Sequence, residues 1–225
     1  MSKKKVEKTD EQMVAVEEAL SKSEKFIEEN IKLLSTIVLA VVVVVMGYFA
    51  YQKYYLQPKE AEAEGQMFVA EQYFEQDNFD KALNGDDQNM GFLNIIEEYG
   101  VTKSANLASY YAGISFLKTG EYQKAIDYLS DFSSDDKMVA PMAIGAIGDA
   151  YMELGKTDKA INYYLKAAAS DNSFTAPIFL KKAAFTYESE NNNAKALELY
   201  KKIKNDYPKS LEAQDIKRYI SRTEK

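Results

Sequence analysis

The chain has no cysteine, no histidine and no tryptophan among its 225 residues. Without cysteine there is no disulfide framework, and the redox compartment leaves no mark on the sequence. Without cysteine and histidine there are no His/Cys zinc sites, Ser-His-Asp triads or Cys-His dyads. Positive charge is also in deficit: 28 Lys and Arg stand against 35 Asp and Glu, a net charge of −7. A chain with no basic surplus lacks the electrostatic footprint of a nucleic-acid binder. No glycine-rich phosphate loop is present, and Gly145 and Gly148 fall inside a helical pattern where they serve packing. The carboxylate pairs Asp86–Asp87 and Asp135–Asp136 sit in turn-like segments with no ligand pattern around them, so they read as solvated loops. These absences predict a protein that is not an enzyme and that carries no metal or cofactor.

One long apolar run is present. Leu33 to Gln52 contains no charged residue and is bounded by Lys32 and Lys53. About 20 apolar residues are what a helix needs to cross roughly 30 Å of hydrocarbon. The β-branched stretch Val41–Val45 favours strand in water, but buried strands stop short of this length, and in lipid the backbone must satisfy itself within the segment. Tyr48, Tyr51, Tyr54 and Tyr55 gather at one end, as at a headgroup boundary. Thirty-two residues precede the run and bulky residues end it, which argues against a cleaved signal peptide. The reading is a transmembrane helix over 32–55. Residues 1–31 form a charged tail whose Met13, Val16, Leu20, Ile27 and Ile31 suggest an amphipathic helix. Lys22, Lys25 and Lys32 before the run outnumber Lys53 and Lys59 after it, favouring an N-terminus inside. In a bacterium that puts the N-terminus in the cytoplasm and residues 56–225 in the periplasm, a single-pass inner-membrane topology.

Pro58 is expected to break the exit from the run, and beyond it the sequence repeats itself. Ala125, Ala160 and Ala196 recur at 35 and 36 residues, and so do Gly113, Gly148 and Ala184. Phe116, Tyr151 and Tyr187 share the period, as do Leu129, Tyr164 and Tyr200. Gly120 and Gly155, with Asn191 in the third unit, fall where a left-handed residue ends a helix, and Pro208 closes the third unit. Small residues let two helices approach, and the aromatics fill the space beside them; the tyrosines are packing wedges, not a cofactor box. The pattern resembles the tetratricopeptide repeat, a helix–turn–helix unit of 34 residues. Repeats are expected at about 105–138, 140–174 and 176–209. A degenerate first repeat at 60–100 is marked by Ala70, Tyr73, Phe79 and Ala82, with a turn at Asn84–Asp87 and a second apolar face from Phe92 to Tyr99. Ala82 and Ala125 are 43 apart, so this unit holds an insertion of about nine residues over the period. Leu211, Ala213, Ile216 and Ile220 outline a capping helix over 210–225, with Lys217, Arg218, Arg222 and Lys225 outside. The fold class is therefore all-α: one transmembrane helix, then a tetratricopeptide solenoid with a C-terminal cap and no strand.

The resemblance implies a right-handed superhelix whose first helices line a concave groove. Carried over by position, the groove candidates are Leu107, Tyr110, Ile114 and Leu117; then Met142, Asp149, Met152 and Glu153; then Ile178, Lys181, Phe185 and Glu188. This apolar and acidic lining, with adaptable methionines, suits a peptide or a partner helix. Tyr110 and Ile114 stand where the carboxylate-clamp tetratricopeptide proteins carry Lys and Asn, so docking of chaperone tails is not implied.

The order of parts resembles the ancillary SecYEG translocon subunit family (YfgM-like proteins). The likeness runs through Val14-Ala15-Val16, Phe26-Ile27-Glu28-Glu29-Asn30, the apolar run with Tyr48 to Tyr55, and the repeats. It implies an inner-membrane accessory of the Sec translocon whose periplasmic repeats bind or hand over translocating polypeptides. The implied partners are Sec translocon subunits, unfolded clients and a membrane-anchored periplasmic chaperone or prolyl isomerase. The alternative is a scaffold or assembly factor of another envelope complex, in secretion, motility or outer-membrane biogenesis.

Overall fold

In the computed structural model, residues 3–170 and 172–224 are described, with side chains from residue 21 onward except at 23. The chain divides into two units, Met1–Gln57 and Pro58–Lys225. The first is dominated by one helix, α1 (Lys3–Tyr51). Among the described residues one helical stretch, Glu24–Glu75, which takes in the C-terminal half of this helix, is long and apolar enough, by length and composition, to cross a membrane. Its side chains from Leu33 to Phe49 cover nothing: Leu39, Val44 and Met46 are all about two-thirds exposed. The amphipathic pattern at Met13, Val16 and Leu20 lies outside the described side chains.

Pro58 does not break the helical path. Residues Gln52–Leu56 form a π-helical turn, in which the Gln57 N–H reaches back to the Gln52 carbonyl. Helix α2 (Gln57–Glu75) then starts with Pro58 as its second residue. Proline is tolerated in a first turn, where its missing N–H deprives no intrahelical bond. A π-turn adds one residue to the turn and frees the ladder locally. The same proline further along would have stopped the helix.

The second unit is a row of helices. After α2 come α3 (Phe79–Asn84), α4 (Phe92–Tyr99), α5 (Lys103–Thr119), α6 (Tyr122–Asp131), α7 (Val139–Glu153), α8 (Thr157–Ala168), α9 (Ala176–Ser189), α10 (Asn193–Asp206), α11 (Leu211–Gln214) and α12 (Ile216–Thr223). Each packs on its sequence neighbours: α5 on α6, α6 on α7, α7 on α8, α8 on α9, and α9 on α10. The described residues contain no strand, only an isolated bridge between Gly85 and Met90.

One turn is used four times. Gly120 (φ +85°), Gly155 (φ +67°) and Asn191 (φ +60°) are left-handed, as their spacing predicts, and Asp77 (φ +55°) fills the same place in the first hairpin. At each, two N–H groups return to the last turn of the first helix. Glu121 N bonds Phe116 O at 2.9 Å, Lys156 N bonds Tyr151 O at 2.9 Å, Asn192 N bonds Tyr187 O at 2.8 Å, and Asn78 N bonds Tyr73 O at 2.9 Å. This is the Schellman arrangement, which satisfies carbonyls that a helix end leaves open. The aromatic residue of the repeat is the acceptor every time.

The core follows the repeat. Ala125, Ala160, Ala184 and Ala196 are fully buried. A methyl group built on Gly148 would come within 2.7 Å of the Tyr164 ring, and one on Gly145 within 1.8 Å of Phe179. At both places the ring of a neighbouring helix occupies the volume a side chain would need, so the helices close to a distance that only glycine permits.

Candidate partner-binding face

The residues expected to line the groove separate into three groups. Leu107, Met142 and Phe185 are 36%, 40% and 39% exposed, and Glu153 is exposed as well. These four present surface. Tyr110, Ile114, Leu117, Met152 and Ile178 are half-buried and pack against the core. Tyr110 is held by rings on both sides, Tyr111 at 5.7 Å and Phe132 at 5.3 Å. Lys181 lies 5.1 Å above the Tyr219 ring of the cap and 5.8 Å from the Phe185 ring. Phe185 itself meets Tyr219 edge-on at 5.1 Å.

The third group is Asp149 and Glu188, which are bound internally. Asp149 on α7 accepts the Tyr164 hydroxyl at 2.7 Å and pairs with Lys182 of α9, 2.7 Å from each carboxylate oxygen. Glu188 on α9 accepts the Tyr200 hydroxyl at 2.5 Å and takes a two-pronged contact from Arg222 of α12, at 3.0 and 2.6 Å. In both, a carboxylate on a first helix binds the tyrosine of its own second helix and a cation from a later helix. Tyr164 and Tyr200 are buried, so their hydroxyls need a partner, and these carboxylates supply it. Burial, with the adjoining carboxylate, pushes both phenols well above their ordinary range. Burial alone would raise Glu188, but the hydrogen bonds from Arg222 and Tyr200 and the Arg222 charge outweigh it and hold the carboxyl below its ordinary 4.5.

Sequence position alone missed these pairings because the two carboxylates are not at equivalent places in the repeat. The tyrosines are equivalent, and a buried tyrosine at a fixed position carries an unmet hydroxyl as a signal. Also missed was Glu60, whose carboxylate accepts Lys103 N at 2.7 Å, Ser104 N at 2.9 Å and the Ser104 hydroxyl at 2.7 Å. It caps the N-terminus of α5 from another helix, where negative charge is favoured. Burial raises Glu60, yet these bonds together leave it below its ordinary value.

The carboxylate pairs are loop residues. Asp86 closes the Gly85–Met90 loop by accepting Gln88 N, Asn89 N and the Asn89 side chain, and it binds the Tyr73 hydroxyl. Asp136 accepts Met138 N and Val139 N at the start of α7, and these bonds hold its carboxyl low. Among the described residues no group of three or more His, Cys, Asp or Glu side chains could hold a metal ion.

Two depressions open on the first-helix side. One, about 500 Å³, lies between α2 and α5 and is lined by Glu64, Met67, Phe68, Glu71 and Leu107, with Glu60, Lys103 and Ser104 at its end. The other, about 660 Å³, lies by the N-terminus of α9 and the segment after α10, among Met138, Met142, Phe174, Ile178, Pro208 and Leu211. Phe174 and Leu211 there are 71% and 78% exposed. Apolar side chains are prominent in both linings and carboxylates join them in the first, surfaces suited to holding a chain segment.

Paired helices, a fixed left-handed turn and a fixed packing period define a tetratricopeptide-type solenoid. The tetratricopeptide repeat family matches residues 107–135 and 182–210 in one of its forms and 143–175 in another. Among individual proteins, the uncharacterized protein ycf37 of Guillardia theta is 30% identical over 115 residues. That stretch is 49% of this chain and 64% of the relative, so the chain spans a little under two-thirds of that protein. Two crystal structures of nearly identical TPR-like repeats, described as kinesin light chain of Podosopora anserina, superpose with TM-scores of 0.57 and 0.56. Both cover 73% of this chain, with 85% and 86% of the other chain, at 14% and 13% identity. At such identity the likeness speaks for the fold alone.

Proposed function

We propose that this protein is a membrane-anchored, non-catalytic binding module. In this reading residues 32–55, the end of α1 and most of the π-turn after it, hold it in a bilayer, and the first helices of the repeats bind segments of other proteins. The observation that carries it is the coexistence of a wholly uncovered apolar helix with a repeat unit that leaves Leu107, Met142 and Phe185 open on its first helices. The finer assignment is an accessory of the Sec translocon in the bacterial inner membrane, with the repeats in the periplasm. It is supported by the order of parts and by the lysine excess before the apolar run. Partners would then be Sec subunits, emerging polypeptides and a membrane-anchored chaperone or prolyl isomerase. Tethering would raise their local concentration beside the groove.

The test is site-specific photocrosslinking in native membranes from Met142 and Phe185, with an exposed second-helix position, Glu198, as the control. Adducts to Sec components at the first two positions only are the expected result. Adducts to another envelope complex would replace the translocon assignment with a scaffold, and none at either position, nor at Phe68 of α2, would remove the binding role. A reporter fused after the last residue and active only outside the cytoplasm checks the orientation.

A further inference from the structure

The depression between α2 and α5 differs from the rest of the first-helix face in its charge. Glu64, Phe68, Glu71 and Glu75 share one stripe of α2, within about 60° of arc at 3.6 residues per turn. Phe68 is 63% exposed at its centre, and Leu107 of α5 faces the same depression. Lys103 is the one cation lining it, at the end where Glu60 caps α5. Burial, then the neighbouring Glu75, pushes the Glu71 carboxyl above its ordinary value, and burial, with Glu71 and Glu75 among the charges that add to it, raises Tyr111. These carboxylates repel one another across an apolar floor, a charge pattern that a cation with a hydrocarbon stem would complement.

We propose that this depression docks a cationic amphipathic helix of a partner protein. Its apolar side covers Phe68 and Leu107, and its Lys or Arg side chains lie along Glu64, Glu71 and Glu75. The proposal rests on the binding role above and names the partner chemistry at one end of the face. A helix carrying basic residues two turns apart matches the spacing of Glu64 and Glu71, whereas an extended acidic segment is repelled.

The experiment uses the full chain in nanodiscs of zwitterionic phosphatidylcholine. Fluorescence anisotropy follows a labelled Leu/Lys amphipathic helix, with a Leu/Glu helix of the same pattern as counter-probe. Expected are binding of the Lys peptide that weakens with salt, no binding of the Glu peptide, and about a tenfold weaker Lys-peptide affinity in E64K/E71K. F68S, at an exposed position, should also weaken it, while circular dichroism and melting of both variants stay as in the parent. Equal binding of the two peptides, or parental affinity in both variants, overturns the proposal. A photocrosslinker at Phe68, beside those at Met142 and Phe185, separates the two failures. Adducts at the latter pair with none at Phe68 remove this docking face alone, and none at all three positions remove the binding role as well.

Discussion

The first hairpin and the three that follow it solve the same packing problem with different means. In α5–α6, α7–α8 and α9–α10 the second helix is unbroken, and it meets the first through an alanine and a large side chain at fixed positions. In the first hairpin the second helix is split into α3 and α4 by the Gly85–Gly91 loop, which Asp86 ties down with its own hydrogen bonds and the Tyr73 hydroxyl. Rings replace the missing regularity: Phe74 meets Phe79, Phe92 and Tyr111 edge-on, and Phe92 stacks on Tyr111 at 5.2 Å. A repeat thus absorbs an insertion where a polar loop satisfies itself locally and an aromatic cluster fills the gap.

The sharpest break of that contrast is at the close approach in the regular hairpins. G145A should cost about 1–3 kcal/mol, because its methyl group overlaps the buried Phe179 ring. Chemical denaturation reads it, and a lowered midpoint at unchanged helix content is the expected form. An unchanged midpoint would show that α7 and α9 have room to separate.

Next in size is R222Q. It leaves Glu188, whose side chain is 17% exposed, with Tyr200 alone, and should cost about 1–2 kcal/mol at neutral pH. The same variant tests a pH dependence. Glu188 in the folded protein titrates below its ordinary 4.5, so the unfolded chain takes up the proton first as pH falls. Its stabilisation is complete above about pH 4.5 and is lost as pH drops through the folded value. Melting curves from pH 6 downward should show a shallower decline in R222Q than in the parent, and parallel curves would exclude this coupling.

Asp86→Ala addresses the first hairpin. The loop should become cleavable between residues 85 and 91 under limited proteolysis while the later hairpins keep their protection. Resistance equal to the parent would mean the rings alone hold the loop. The smallest expected effects sharpen the comparison at the shared turn. Asp77→Gly and Asn191→Gly should each stabilise by a few tenths of a kcal/mol, since both residues are left-handed. Gly120→Ala should destabilise by about 1 kcal/mol.

The repeat architecture was legible because several residue classes recur with one period, and each class has a separate steric task. Gly120, Gly155 and Asn191 announce the turn, and Ala125, Ala160 and Ala196 the contact. Asp77 lies 43 residues before Gly120, the same offset as Ala82 from Ala125, so the fourth turn could have been found by extending that alignment. Pro58 looks like a break in the sequence because proline's effect depends on its place in a helix, and the π-turn that puts it near a helix start leaves no signature in composition. The candidate face was only partly legible. Position in the repeat separated first-helix residues from the rest, but whether a carboxylate such as Asp149 is open or already occupied depends on Lys182, 33 residues later. Pairings between non-equivalent positions carry no period to read.

The Glu60 bond to the start of α5 joins residues only 43 and 44 apart, and the Arg222 bond to Glu188 joins residues 34 apart. The Glu60 tie can form once the start of α5 has left the ribosome, well before the last hairpins are made, whereas the Arg222 tie waits for the final helix. Such a chain can acquire its native order progressively during synthesis, each new hairpin settling on the one before it.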